Sequence, residues 1–170
     1  MGDPSTFARN VADGFQREVD RTGVLSLSST HENILMWSHY ACSHSGVCLQ
    51  FRVVVDPPFF TPAMPVTYTR DLPMPNLLGE DRHERAQQLL LTKAEDWAYE
   101  REWRILEPDR VPGSRSFPPK LLSAIIRGVK MSQANKDTVM KWVAQRSMPL
   151  PVYQATLNAT KYGLVFEQIA

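Results

Sequence analysis

The sequence predicts an α+β fold: a single domain over residues 1–170 with a mixed or largely antiparallel sheet and about four helices. Segments that alternate apolar and polar residues outnumber those with helical spacing, and the two kinds do not strictly alternate along the chain, as they would in a parallel α/β fold. A chain of 170 residues with 43% hydrophobic residues also suits one ordinary core without disulfide staples.

The first third of the chain predicts two helices and two strands. Apolar residues recur at four-residue spacing from Phe7 to Val19, and Gly23 can stop this first helix. Asn33 can cap a second, short helix, which Gly46 can end. In order, the predicted elements are a helix ending by Gly23, a strand over 24–29, a helix over 34–41 and a strand over 47–53.

Proline divides the middle of the chain, leaving room for one short strand, whereas the later segments are more regular. Arg82 to Trp97 contains no Gly or Pro and has apolar residues at helical spacing, which predicts a helix. The remaining predicted elements are strands over 66–69, 99–106 and 121–126, a loop over 108–119, a helix from Ser132 to about Arg146, and strands over 152–157 and 162–166.

Composition excludes several classes of protein. No apolar run approaches the roughly 20 residues of a membrane span, and the polar N-terminus has no apolar signal core. We therefore expect a cytoplasmic protein with no membrane association. The net charge is +1, but it is unevenly distributed: residues 71–100 have a net charge of −4 and residues 101–146 a net charge of +6. The second block could face a phosphate-rich ligand, although scattered solvated charge explains it as well.

The strand predicted over 99–106 has an unusual pattern. A period of two puts Glu100, Glu102 and Arg104 on one face, whereas an ordinary half-buried strand alternates apolar and polar residues. Neighbouring carboxylates repel each other unless a cation, a metal or a shared proton relieves them. One interpretation is an ion-pair ladder in which Arg104 shields a carboxylate. The other is a catalytic site with Glu100 and Glu102 as carboxylates and Arg104 as a ligand-binding residue.

A second cluster lies in the segment 37–44. Trp37, His39 and Tyr40 share a predicted helix, on which His39 and Tyr40 point about 100° apart. One of them therefore needs a polar partner. The plain interpretation is a backbone-bonded histidine and a tyrosine at a helix end. The functional one makes His39 and Tyr40 catalytic partners of the charged strand, with Trp37 and the neighbouring pair Lys93 and Trp97 binding the ligand.

Metal and nucleophile motifs are weak. His39, Cys42, His44 and Cys48 are residue types that bind zinc, but their spacing fits no zinc template, so we predict no metal. The sequence also lacks a nucleophile elbow, a phosphate-binding glycine loop, a dinucleotide fingerprint and a His-Glu-x-x-His motif. A carboxylate pair without these motifs suits glycosyl chemistry, in which positive charge develops on a sugar carbon.

Five sequence blocks follow one another in a fixed order: Gly23–Ser28, Met36–Tyr40, His44–Phe51, Lys93–Trp97 and Tyr99–Ile105. With these blocks the chain resembles a bacterial family, domain of unknown function 2971. The resemblance spans about residues 23 to 128, and family members usually begin with an additional segment, which would make this chain the C-terminal part of a longer domain.

The layout of this family is in turn similar to that of ADP-ribosyltransferases. That resemblance implies NAD as the substrate, with Glu102 or Glu100 binding the nicotinamide-ribose hydroxyl and stabilising the oxocarbenium-like state as nicotinamide leaves. It leaves the acceptor, nucleic acid or protein, unknown. The alternatives are a non-catalytic nucleic-acid or phosphate-ligand binding module in bacterial defence or regulation, an inactive truncated remnant, and a purely structural scaffold.

Overall fold

The structure is a computed structural model that describes residues 13–14, 16–73, 81–108 and 113–170. Their contacts divide the chain into two compact units: unit 1, Met1–Ser29 with Thr61–Arg115, and unit 2, Thr30–Phe60 with Ser116–Ala170. Both contain helices and strands, and the α+β class is confirmed. The single domain over 1–170 stays a prediction.

Nine strands and four α-helices have bounds within the described residues. The strands are β1 (Gly23–Ser28), β2 (Val47–Phe51), β3 (Ala63–Pro65), β4 (Thr67–Thr69), β5 (Thr92–Ala94), β6 (Glu102–Glu107), β7 (Leu122–Arg127), β8 (Val152–Leu157) and β9 (Leu164–Gln168). The helices are α1 (Ile34–Tyr40), α2 (Pro57–Phe60), α3 (Arg82–Leu90) and α4 (Gln133–Ala144), with 3-10 helices at Val53–Val55, Glu95–Glu100 and Pro119–Leu121.

Unit 1 is built on a three-stranded antiparallel sheet in the order β1-β6-β3, beside a parallel pair, β4-β5. The central strand, β6, buries Ile105 to 1% exposure. Asp81 caps α3 by accepting a hydrogen bond from the His83 backbone N–H. Residues 13–14 and 16–20 are also helical, which confirms part of the predicted first helix; Phe7 and Phe15 lie outside the described residues.

Unit 2 contains a mixed sheet in the order β2-β7-β8-β9. β7 and β8 are parallel, and α4 connects them, whereas the two outer pairs are antiparallel. One core cluster joins Trp37 and Ala41 to Ile126 and Ala155. A second cluster, which includes Ile125 and Val139, packs α4 on the sheet. The sheet is therefore covered by α1 on one face and α4 on the other.

The helix predicted from Arg82 to Trp97 is wrong beyond Leu90. The Leu91 backbone N–H closes the helix on Gln87 O, and residues 92–94 pair with β4 instead of continuing the helix. Helical spacing alone could not reveal this, because Lys93 and Trp97 would also fit a longer helix. β3 and α2, both in the proline-divided segment, had no predicted counterpart.

The connection between α1 and β2 is unusually tight. Cys42, Ser43 and His44 are three consecutive left-handed residues, with φ of 46°, 52° and 72°. This turn brings His44 O so near Gly128 that a Cβ atom on Gly128 would lie 2.2 Å from it. Gly128 N–H also donates to Gly46 O at 2.9 Å. Glycine is thus required at position 128 by close backbone approach.

We predict that Gly128→Ala lowers the free energy of unfolding by about 2–3 kcal/mol, because the added methyl group overlaps backbone that cannot easily move. Gly163→Ala is the matched control, since none of the described residues comes within 4 Å of a Cβ atom placed there. Urea denaturation of both variants measures the difference. Equal stability of the two variants would contradict the close approach of the 44 and 128 backbones.

Candidate functional site

The charged residues of β6 project from the centre of the unit 1 sheet. Glu102 and Arg104 are two residues apart on β6 and share a face. In the antiparallel register, Ser28 lies opposite Glu102, and Ser26 opposite Arg104. The central position of β6 thus brings serine hydroxyls from β1 toward the carboxylate.

Glu100 reaches the same place by a different route from the one predicted. Tyr99 and Glu100 do not belong to the strand but end a 3-10 helix, because Arg101 adopts a left-handed conformation with φ of 47°. The Glu100 carbonyl accepts a hydrogen bond of 2.7 Å from Ser28 Oγ. The prediction that Glu100 and Glu102 lie on one face of the same strand is therefore wrong, although their carboxylates do share one partner.

That shared partner is Lys93. Its ammonium group donates to Glu100 Oε2 and lies 3.2 Å from Glu102 Oε2. Arg104 binds Glu102 with two nitrogens: Nε is 2.8 Å from Oε1, and Nη2 is 2.9 Å from Oε2. The four side chains form one network with two negative and two positive charges, which we call the charge cluster (Lys93, Glu100, Glu102 and Arg104).

Three further groups fix the geometry of the charge cluster. Tyr68 Oη accepts a hydrogen bond of 2.8 Å from the Glu102 backbone N–H. Arg104 Nη1 donates to the carbonyl of Leu90, the last residue of α3. The Trp97 ring lies under Lys93, with Nζ 4.9 Å from its centroid. Tyr68 was not predicted as a site residue, because its hydroxyl accepts a hydrogen bond from a backbone amide of another strand and this leaves no sequence pattern.

The two carboxylates of the charge cluster are buried, and the surroundings of Glu102 and Lys93 shift their pKa values toward the charged forms. Glu100 is 2% exposed and Glu102 is 7% exposed. Burial alone would raise the pKa of Glu102, but hydrogen bonds from Arg104 and Ser26, with the charges of Arg104 and Lys93, lower it to about 2. For Lys93 the signs are reversed: burial alone would lower its pKa, but its bonds to Glu100 and Glu102 raise it. Near neutral pH, Glu102 and Lys93 hold fixed charges and do not transfer protons.

The predicted site residues fall into two groups. Glu100, Glu102, Arg104, Lys93 and Trp97 meet in unit 1. Trp37, His39 and Tyr40, in contrast, belong to unit 2. A single composite site that combines His39 or Tyr40 with Glu102 thus stays a prediction.

The unit 2 members of that prediction differ in their surroundings. Trp37 is 3% exposed, and its indole N–H donates to His31 O at 2.7 Å, as expected of a core tryptophan. His39 and Tyr40 are exposed at the end of α1, with ring centroids 6.3 Å apart. Within the described part of the chain, no three side chains of His, Cys, Asp or Glu converge as metal ligands do.

Neither unit places a carboxylate of the charge cluster in a main cavity. Unit 1 has a cavity of about 150 Å³ between α3 and the sheet; among the described residues that line it are Met64, Leu90 and Leu106, but not Glu100 or Glu102. Unit 2 has a larger groove of about 530 Å³, which we call the hairpin groove. Its lining is Ile34, His44 and the β8–β9 connection, residues 157–163.

The hairpin groove was not foreseen from the sequence. β7 and β8 run parallel and β9 returns antiparallel to β8, so the connection that lines the groove follows the carboxyl end of β8. Asn158 Oδ1 holds that connection by accepting hydrogen bonds from the backbone N–H groups of Thr160 and Lys161, at 2.9 and 3.1 Å. Tyr162 is fully exposed at the turn. Ligands of α/β sheets commonly bind at this edge.

Comparison with known proteins supports the family resemblance. Residues 36–105 match the model of a family described as protein of unknown function (DUF2971), and over this range the resemblance is confirmed. No curated protein and no solved structure matches the chain. No helix in the described residues has the length and apolar character needed to cross a bilayer.

We predict an acid-sensitive contribution of the charge cluster to stability. Because the pKa of Glu102 falls from 4.5 in the unfolded chain to about 2 in the fold, its contribution is complete above pH 4.5 and is lost as the pH falls toward 2. The loss is at most about 3 kcal/mol. Urea denaturation across this pH range measures it.

Two variants make this measurement specific. Glu102→Gln removes the titrating group, so we expect a shallower loss of stability below pH 4.5 than in the wild type. Glu84→Gln, at an exposed glutamate in the first turn of α3, is expected to keep the wild-type slope. The same slope in the wild type and Glu102→Gln would show that Glu102 is not stabilised in the ionised form.

Proposed function

We propose that this chain is a non-catalytic module whose unit 2 binds a phosphate-bearing, nucleotide-like ligand. The observation that carries the proposal is the hairpin groove at the carboxyl end of β8, where cationic Lys161 and aromatic Tyr162 lie among polar and apolar lining residues. The carboxylates that suggested catalysis are instead buried and paired with Lys93 and Arg104. The geometry therefore favours binding over chemistry.

The charge of unit 2 supports an anionic ligand. This unit has eight Lys or Arg against four Asp or Glu, a net charge of +4. Unit 1, with eleven against fourteen, has a net charge of −3. The acidic block, residues 71–100, lies in unit 1, whereas the basic block, residues 101–146, is divided between the two units at residue 115. A positive unit raises the local concentration of anions and their rate of association.

The groove lining suits the parts of a nucleotide. The ammonium of Lys161 can pair with phosphate. The hydroxyl of Thr160 donates to Asn158 Oδ1 at 3.2 Å and would exchange that partner for a phosphate oxygen. The exposed ring of Tyr162 offers a face on which a base can stack, a contact worth about 1–3 kcal/mol. The imidazole of His44 borders the same groove. The cation and the hydroxyl thus suit the phosphate of the ligand, and the aromatic ring suits its base.

We predict that ADP binds unit 2. Two substitutions should weaken this binding, one in a way that depends on salt concentration and one in a way that does not. Lys161→Gln should weaken it most at low salt, because it removes a charge, and Tyr162→Ala should weaken it about tenfold at any salt concentration. Isothermal titration calorimetry with ADP measures both effects.

The matched control is Lys141→Gln on α4, an exposed lysine that does not line the groove. It removes the same charge as Lys161→Gln and should leave the affinity for ADP nearly unchanged. If Lys141→Gln and Lys161→Gln weaken ADP binding equally, binding is a property of the net charge and the groove is not the site.

NAD-dependent ADP-ribosyl transfer is the second candidate function. Glu102 favours it, because Arg104 holds its carboxylate ionised and Tyr68 fixes its backbone amide, as stabilisation of a developing cation would require. In that reaction the bond from nicotinamide to ribose breaks, nicotinamide leaves, and an acceptor nucleophile bonds to the ribose carbon. One of the two cations would first have to release Glu102.

This second candidate predicts nicotinamide release from NAD, abolished by Glu102→Gln and retained by Glu84→Gln. Chromatography of the reaction mixture with several acceptors measures the release, and circular dichroism checks that both variants are folded. Binding of ADP without release of nicotinamide would favour the non-catalytic module. Release lost only in Glu102→Gln would reverse that preference.

We also propose the cytoplasm as the location of the protein. Its two cysteines, Cys42 and Cys48, are not joined in a disulfide, which fits a reducing compartment. Burial raises the pKa of the Cys48 thiol, so this residue is held in its unreactive form.

A further inference from the structure

A buried arginine of unit 2 has no counter-charge in contact. Arg127, the last residue of β7, is only 9% exposed. Its Nε is shielded from solvent and has no hydrogen-bond partner. Within the described residues, no carboxylate lies at ion-pair distance from its guanidinium. Most buried arginines are paired, so this one requires an explanation.

Neighbouring side chains do not supply the missing acceptor. Gln154 occupies the paired position on β8. Its amide nitrogen donates to the carbonyls of Gly128 and Ala155, at 3.1 and 2.8 Å, while its own oxygen is unpaired. Burial lowers the pKa of Arg127, and the charge of Asp137 partly offsets this. The fold thus keeps a desolvated cation near one carboxylate that does not contact it.

Arg127 lies where β7 leads into α4. Ile125 packs in one cluster with Met131 and Val139, so its side chain lies on the face of the sheet that α4 covers. Arg127 is two residues further along β7 and therefore lies on the same face. Asp137 is bound by the Gln133 side chain at 2.8 Å and so sits beside the first turn of α4. α4 carries the chain from the end of β7 back to the start of the parallel strand β8, and its Val139 packs with Ile125, so the first turn of α4 lies near the end of β7, where Arg127 is.

The first turn of α4 offers further donors. Ser132 caps the helix by accepting from the Asn135 backbone N–H at 3.3 Å, and this leaves the amides of Gln133 and Ala134 without an intrahelical acceptor. Amides at the start of a helix and the positive end of its dipole favour an anion. A buried guanidinium and a helix N-terminus that follows a parallel strand thus point to the same kind of ligand.

We propose that Arg127 and the first turn of α4 bind a phosphate-type oxyanion, either free phosphate or the phosphate group of a larger ligand. The terminal nitrogens of the guanidinium and the α4 amides would donate to its oxygens. This site includes no residue of the hairpin groove and does not rest on the function proposed for that groove. Asp137 would oppose the anion and limit its affinity.

Inorganic phosphate is the probe for this proposal, in protein-observed NMR titrations at moderate salt. We expect saturable shifts at the amides of 133–135 in the wild type, and at least about tenfold weaker binding in Arg127→Gln, which removes a charge-assisted bond. Lys141→Gln, which removes an equal charge from the exposed surface of α4, is the matched control and should stay within about twofold of the wild type. Arg127→Gln should remain folded, since it replaces an unpaired buried charge.

Asp137→Asn separates the proposal from its structural alternative. If the site binds an anion, removing the nearby carboxylate should tighten phosphate binding severalfold. If Arg127 and Asp137 are instead each other's partner in solution, Asp137→Asn lowers thermal stability and the wild type shows no saturable shifts, a result that overturns the proposal. Equal weakening in Arg127→Gln and Lys141→Gln would also overturn it.

Competition identifies the source of the phosphate. If ADP displaces inorganic phosphate from the 133–135 amides, the site holds the phosphate of a larger ligand. If ADP shifts only the residues of the hairpin groove, the Arg127 site takes free phosphate. If Lys161→Gln loses ADP binding but keeps the phosphate-induced shifts at 133–135, the hairpin groove and the Arg127 site bind their ligands independently.

Discussion

The pairing of Glu100 and Glu102 with Lys93 and Arg104 is the interaction on which unit 1 depends. The network joins β5, β6 and the Glu95–Glu100 turn directly, and it reaches β4 and α3 through Tyr68 and the Leu90 carbonyl. Removing one member of such a buried pair costs about 3–5 kcal/mol, because the remaining charge stays desolvated. The charges thus specify where the β4-β5 pair and α3 attach to the central sheet.

Much of the secondary structure could be predicted from local patterns. β1, α1, β7, α4 and β8 lie within a residue or two of the predicted bounds, since each has clear periodicity and an adequate cap or turn. The failure between Leu90 and Glu100 has a physical cause. There, Lys93 must reach two carboxylates, and the backbone leaves the helix to pair with β4 and then turns at Arg101. The spacing of apolar residues along the chain does not show these tertiary contacts of Lys93.

The candidate site was predicted in its membership more than in its geometry. Arg104 does shield a carboxylate, as one of the two interpretations held, and Lys93 and Trp97 do lie with the acids. Tyr68 could not be found, because a hydroxyl that accepts from a backbone amide leaves no pattern in the sequence. Arg127 was equally hidden, since an arginine at the end of an apolar strand looks like the ordinary polar end of that strand.

The contrast between the charge cluster and Arg127 separates stabilising charges from charges available for binding. Burial disfavours the charged form of an arginine and of a glutamate alike, because both lose contact with water. In unit 1 this cost is offset within the fold, since Glu102 has two cationic partners, Lys93 and Arg104. In unit 2, the penalty on Arg127 has no such offset in contact. A counter-charge from outside the chain would supply one, and its binding would then stabilise the fold in proportion to its concentration. By this argument the paired carboxylates, which first attract notice in the sequence, hold the structure together, whereas Arg127, which has no ion pair within the described residues, is available to bind an anion.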